Sequence, residues 1–176
     1  VAISLLSVAI VAPMSLTSQS LSAAYYARDE ITAFNLAQEG LEAVRAVRDG
    51  QVLQISQSAD ASAVDLFGSI PKNTNFTIDS RFVNPPMSTC SGTCPRLQTS
   101  LGLYGYDADT ITWVTTNFTR TVLVCYLQTS GQCGSTVTDE VRVSVTVSWP
   151  AAGGRTRTFT IYDNLYRWIN DGSAAS

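Results

Sequence analysis

Four cysteines, Cys90, Cys94, Cys125 and Cys133, are the side chains of this chain with the widest choice of chemistry. Thiols either hold a soft metal or oxidise to disulfides. A C-x3-C pair followed by a C-x7-C pair suits a four-thiolate zinc site poorly, because the second pair is too open for a zinc knuckle. Two disulfides in an oxidising compartment is the better reading. Three connectivities are open; the local pairs Cys90–Cys94 and Cys125–Cys133 close the shortest loops and are the ones expected. No cofactor or resident metal is expected.

The remaining reactive groups form no constellation. The 176 residues include no histidine, which excludes Ser/His/Asp triads, Cys/His dyads and His-ligated zinc or haem. Acid–base work would fall to carboxylates or to Lys72, the single lysine. Asp107 and Asp109 share a loop that could bind calcium, although an Asx-rich turn explains them more simply. Asp139 and Glu140 sit together at a strand start and read as a solvated turn. Asn75-Phe76-Thr77 and Asn117-Phe118-Thr119 match the N-glycosylation acceptor pattern, which is short and common by chance. The chain is therefore expected not to be an enzyme. A net charge of −3 and a sequence pI near 4.8 argue against nucleic acid as a primary ligand.

Charge placement says more than charge count. Residues 1–27 carry no side chain charged at neutral pH, and Arg28 is the first. The first sixteen residues are strongly apolar, the next six mostly hydroxyl and amide, and the run closes on Tyr25-Tyr26 before Arg28-Asp29-Glu30. A bilayer core takes about 20 helical residues, and paired aromatics followed by charge suit a membrane interface. Residues 1–24 are thus expected to form a hydrophobic transmembrane helix segment. Residues 25–50 continue as an amphipathic helix, with Ile31, Phe34, Ala37, Leu41, Val44 and Val47 as its packing stripe and a smaller-residue stripe of Ala33, Leu36, Gly40 and Ala43 beside it. Arg45 is placed to pair with Glu42 and Asp49, and Gly50 is expected to stop the helix. A rod over residues 1–49 would measure about 70 Å, more than twice a bilayer core. Pro13 is its one irregularity.

After Gly50 the period falls to two. Residues 51–75 read as a connecting loop with a short helix over 59–67. Strands are expected over 76–83, with Phe76, Ile78 and Phe82 on one face, and over 103–106, 117–127, 140–149 and 155–165, with a hairpin loop at 150–154. Residues 51–176 form the expected globular antiparallel β domain. One-sided alternation means a sheet wet on one face and covered on the other, with the helix of residues 31–47 as the cover. The fold class is α+β: a long N-terminal α-helix packed on an antiparallel β-sheet.

The uncharged VAISLLSVAIVAP, the amphipathic RDEITAFNLAQEGLEAVRAVRD and the sheet behind them together resemble a type IV pilin or pseudopilin. Members of that family begin, after prepilin peptidase cleavage, with Phe-Thr-Leu-Ile-Glu and an apolar run, and the run here looks like its continuation from about seven residues further upstream. Neither the cleavage-site glycine nor the family's glutamate lies in this chain, so neither role attaches to a residue here. The resemblance implies a pilin-like fold and a structural subunit of an extracellular, cell-surface filament serving attachment, twitching motility or uptake. It implies no catalysis, and as partners identical subunits in a helical homo-oligomer, the inner membrane before assembly and the pilus assembly machinery. The filament-core helix would use Val1, Ile3, Leu5, Leu6, Val8, Ile10, Val11, Pro13, Met14 and Leu16. Pro13 falls where such pilins carry a helix-breaking proline, and a kink or a short non-helical stretch over residues 9–16 is expected in the assembled filament, with a gentle proline kink in a continuous helix as the alternative. The other readings are a minor pilin or type II secretion pseudopilin, and a membrane-anchored monomeric β-domain acting as a binding protein.

Overall fold

The computed structural model describes residues 2–57, 65–109 and 111–169, with side chains described from Leu16 on, Ala152 excepted. One helix, α1 (Ala2–Gln57), opens the chain and runs unbroken through Pro13. At 1.5 Å per residue its 56 residues extend about 84 Å. Eight strands follow: β1 (Asn75–Ile78), β2 (Met87–Thr89), β3 (Arg96–Ser100), β4 (Leu103–Gly105), β5 (Val114–Leu127), β6 (Cys133–Gly134), β7 (Glu140–Pro150) and β8 (Thr156–Tyr166). All their pairings are antiparallel.

β5 is the spine of the sheet. Its one side pairs along β7, from Thr119↔Ser148 to Tyr126↔Val141, and β7 pairs in turn with the edge strand β8. The other side is shared: β3 takes its first half, with β4 beyond, and β1 its second half, with β2 beyond. Period-two alternation sends Val141, Val143, Val145, Val147 and Trp149 of β7 to the covered face, level with Phe118, Val122, Val124 and Tyr126 of β5. The α+β class, a long helix on an antiparallel sheet, is thus realised.

The helix meets the sheet through both expected stripes, the smaller-residue one and Ala37, Leu41, Val44 and Val47 of the other, without Ile31 and Phe34. Ala33, Leu36, Ala37, Gly40, Leu41, Ala43 and Val44 are buried, whereas Ile31 and Phe34 are exposed. Small residues win because helix and sheet close up only where side chains are short. A Cβ on Gly40 would lie 3.0 Å from Cδ of Arg120 and 3.1 Å from Cγ1 of Val145. Phe34 instead lies at the rim, its ring edge-on to Phe159 at 5.5 Å.

Four further expectations are corrected. Gly50 does not end α1, which runs on to Gln57 because Ile55 docks into the core and repays the cost of a mid-helix glycine. Arg45 pairs with Glu42 but turns to Asp163 of β8 at 2.9 Å rather than to Asp49, which pairs with Arg48 at 2.7 Å. Residues 65–70 are more than a connection, since Leu66, Phe67 and Ile70 close one end of the core; the rest of the helix expected over 59–67 lies outside the described residues. β1 stops at Ile78, leaving Phe82 and Val83 exposed, because the Asp79 carboxylate accepts from the N–H and guanidinium of Arg81 and folds the chain back.

Candidate functional site

No described group of three or more Cys, Asp, Glu or His could hold a metal ion. Asp107 Oδ1 accepts the N–H of Asp109, and Asp109 Oδ1 the N–H of Ile111. Asp107 Oδ2 faces Arg81 at 3.1 Å, so a cation already sits beside it. The Asn75 and Asn117 acceptor patterns lie in strands β1 and β5 rather than in loops, and Thr77 is buried. What the fold does build is a joint and a projecting rod.

The joint is organised by Arg120, fully buried on the covered face of β5. It donates to the carbonyl of Leu36 in α1 at 3.2 Å and of Ile78 in β1 at 2.6 Å. Glu39 lies 3.7 Å away and also accepts from the Ser80 hydroxyl. One guanidinium therefore ties helix, central strand and β1 together. The Tyr106 hydroxyl donates to the Arg120 carbonyl at 3.3 Å, and burial pushes that phenol up to about 12, so it remains a donor throughout the neutral range.

Behind it, Asp79 anchors the far loop. Its carboxylate accepts from Arg81 at 2.6 and 2.9 Å and from the Tyr106 N–H at 3.1 Å, and Arg81 is sandwiched against Trp113. Burial works to raise the Asp79 pKa, but Arg81 and the backbone donors outweigh it and hold the carboxyl below its ordinary value. A depressed folded pKa gives stability that is complete above the unfolded carboxylate pKa, near 4, and is lost as pH falls from there through the folded value. The urea midpoint is thus expected to drop below about pH 4, and Asp79→Asn to be less stable at pH 7 and to lose part of that acid dependence. An unchanged acid slope in the variant would disprove the assignment.

The rod is the N-terminal half of α1. Residues 16–28 are all exposed, with Leu16, Leu21 and Tyr25 more than half open to solvent, and burial begins at Ala33. The head first meets the rod where Arg157 of β8 donates to the Tyr26 hydroxyl at 2.8 Å and lies over the Tyr26 ring. Of the expected filament-core residues, the side chains of Val1, Ile3, Leu5, Leu6, Val8, Ile10, Val11, Pro13 and Met14 lie outside the described residues, and Leu16 is exposed. Among the described residues no helix is long and apolar enough to cross a membrane.

The cysteines pair as Cys90–Cys94 and Cys125–Cys133, with Cα separations of 5.1 and 5.4 Å. The first closes the loop between β2 and β3; the second ties β5 to β6 near the β5–β7 turn. Closing such short loops is worth about 2–2.5 kcal/mol each in the chain-entropy model. Reduction is expected to lower the urea midpoint accordingly, and non-reducing peptide maps to show both linked pairs; free thiols would contradict the pairing.

No family model, no curated protein and no solved structure matches the chain. Sequence reasoning did not single out Arg120, Asp79 or Arg81. Only the parity of Arg120 with Phe118 and Val122 marks it as inward-facing in the sequence.

Proposed function

We propose that this protein is a structural subunit of a type IV pilus-like extracellular filament, with no catalysis of its own. In this reading it is held in the membrane by the uncharged N-terminal segment before assembly and polymerises through that segment with identical subunits, with the assembly machinery extracting it. The observation that carries the reading is the rod itself: α1 stays exposed over residues 16–28, meets the head only from about Ser22 on, and extends N-terminally into an uncharged segment of strongly apolar sequence. A helix of that composition needs lipid or copies of itself around it. Small residues Ser4, Ser7, Ala9 and Ala12 recur along it, a composition that favours close helix approach. Passage from bilayer to a bundle of like helices exchanges one apolar surrounding for another.

A side-chain-resolution map of filaments tests this. The expected result is a central bundle of helices from residues 1–22, heads outside, with the helix interrupted over residues 9–16 around Pro13, where the carbonyl of Ala9 lacks its usual donor. Helical density unbroken through residue 20 would remove the melted segment. Absence of a central bundle would remove the pilin reading.

A further inference from the structure

Where the rod enters the head there is a groove of about 780 Å³, walled by Tyr25, Tyr26 and Trp149, with Arg155 and Arg157 on its rim. From this we infer that the tip of the β7–β8 hairpin is a docking surface for anionic phospholipid headgroups, which sets the head against the bilayer before assembly. The inference rests on the proposal that the uncharged segment sits in lipid.

Three observations converge on that occupant. First, charge: the tip half of the hairpin, residues 147–160, carries Arg155 and Arg157 and no acidic residue, although the whole chain is net negative. Asp29, the acid on the groove wall, is paired with Arg28 at 3.2 Å. Second, depth: from Leu16, the end of the apolar run, to Ser22, where the groove begins, is six residues, about 9 Å of helix. That is roughly the thickness of a headgroup layer, and the intervening residues 17–22 are mostly hydroxyl and amide. Third, composition: aromatic rings beside arginine stems are what a water–lipid boundary accommodates, the rings lying among glycerol and ester groups and the guanidiniums reaching phosphate. Arg155 is exposed at the hairpin tip, which turns through Gly153 and Gly154 at φ 78 and 73°, so no bulky side chain holds the tip away from a flat surface. Arg157 is held by Tyr26 and positions the strand beside the rod. Each basic residue at an anionic surface shifts partition about fivefold.

The test uses the full chain reconstituted in phosphatidylcholine vesicles and in vesicles with a third of the lipid replaced by phosphatidylglycerol. Flotation reports insertion, and amide hydrogen exchange of the peptide spanning residues 150–157 reports docking. Expected are flotation in both and exchange about fivefold slower in the anionic vesicles, with the difference lost in Arg155→Glu and kept in Arg155→Lys. Equal exchange in both vesicle types with normal flotation would overturn the docking surface and leave the filament reading standing. Protection independent of lipid charge would assign the groove to a second copy of the chain and would also overturn it. Failure to float would overturn the membrane reading and the docking surface together.

Discussion

A chain that begins at Tyr25 is expected to stay soluble and monomeric at concentrations where the full chain sediments. The residues removed include Leu16 and Leu21, 64% and 55% exposed, together with the whole strongly apolar run ahead of them. Covering one large apolar side chain is worth about 1.5–3 kcal/mol, and residues 1–24 carry ten of them, so association that covers this run outweighs its own cost. The head loses little by the cut. Its buried helix residues begin at Ala33, and the Tyr26 hydroxyl that receives Arg157 is retained. Sedimentation velocity of the two forms in the same detergent-free buffer decides the matter. Equal sedimentation would remove the association role of residues 1–24, and with it the filament.

The strands of the sheet's spine were legible because one buried face forces a strict alternation: Val141, Val143, Val145 and Val147 against Arg142, Ser144 and Thr146 admit one register only. β2 and β3 were not legible, since strands of three and five residues with one buried side chain between them, Leu97, carry no period. The helix–sheet contact was legible except at two positions, Ile31 and Phe34, which failed for a different reason. Bulk marks Ile31 and Phe34 as packing residues, but the separation of a helix from a sheet is set by its smallest side chains, and Gly40 sits where β5 and β7 come nearest. Helix termination followed the same pattern, with local propensity at Gly50 overridden by the tertiary docking of Ile55. The disulfide pairs were legible because short loops cost least to close. The rod was legible from the absence of charge alone; the groove beneath it depends on how the β7–β8 hairpin meets Tyr26, which no local pattern contains.

Arg120→Ala is expected to cost the head about 3–5 kcal/mol, as much as truncating a buried aromatic side chain. Arg120 is completely buried, and truncation leaves an unfilled space between α1 and β5 and strips the Ile78 carbonyl of its 2.6 Å donor. The charge itself contributes much less. Nε has no hydrogen-bond partner among the described residues, and the ion pair to Glu39 is long, at 3.7 Å, with Glu39 partly open to water. Desolvating a guanidinium for so few returns is poorly compensated. Arg120→Met keeps the apolar stem and most of the volume while removing the charge, so its cost is expected to be less than half that of alanine, chiefly the lost carbonyl bonds, about 1–1.5 kcal/mol. A double-mutant cycle with Glu39→Gln should give a coupling of only about 0.5 kcal/mol. Urea unfolding of the form that begins at Tyr25 supplies all five stabilities, those of the parent, Arg120→Ala, Arg120→Met, Glu39→Gln and the Arg120→Met/Glu39→Gln double variant. If methionine costs as much as alanine, and the cycle couples by several kcal/mol, the joint between rod and head is held by the buried charge rather than by the space that the arginine fills.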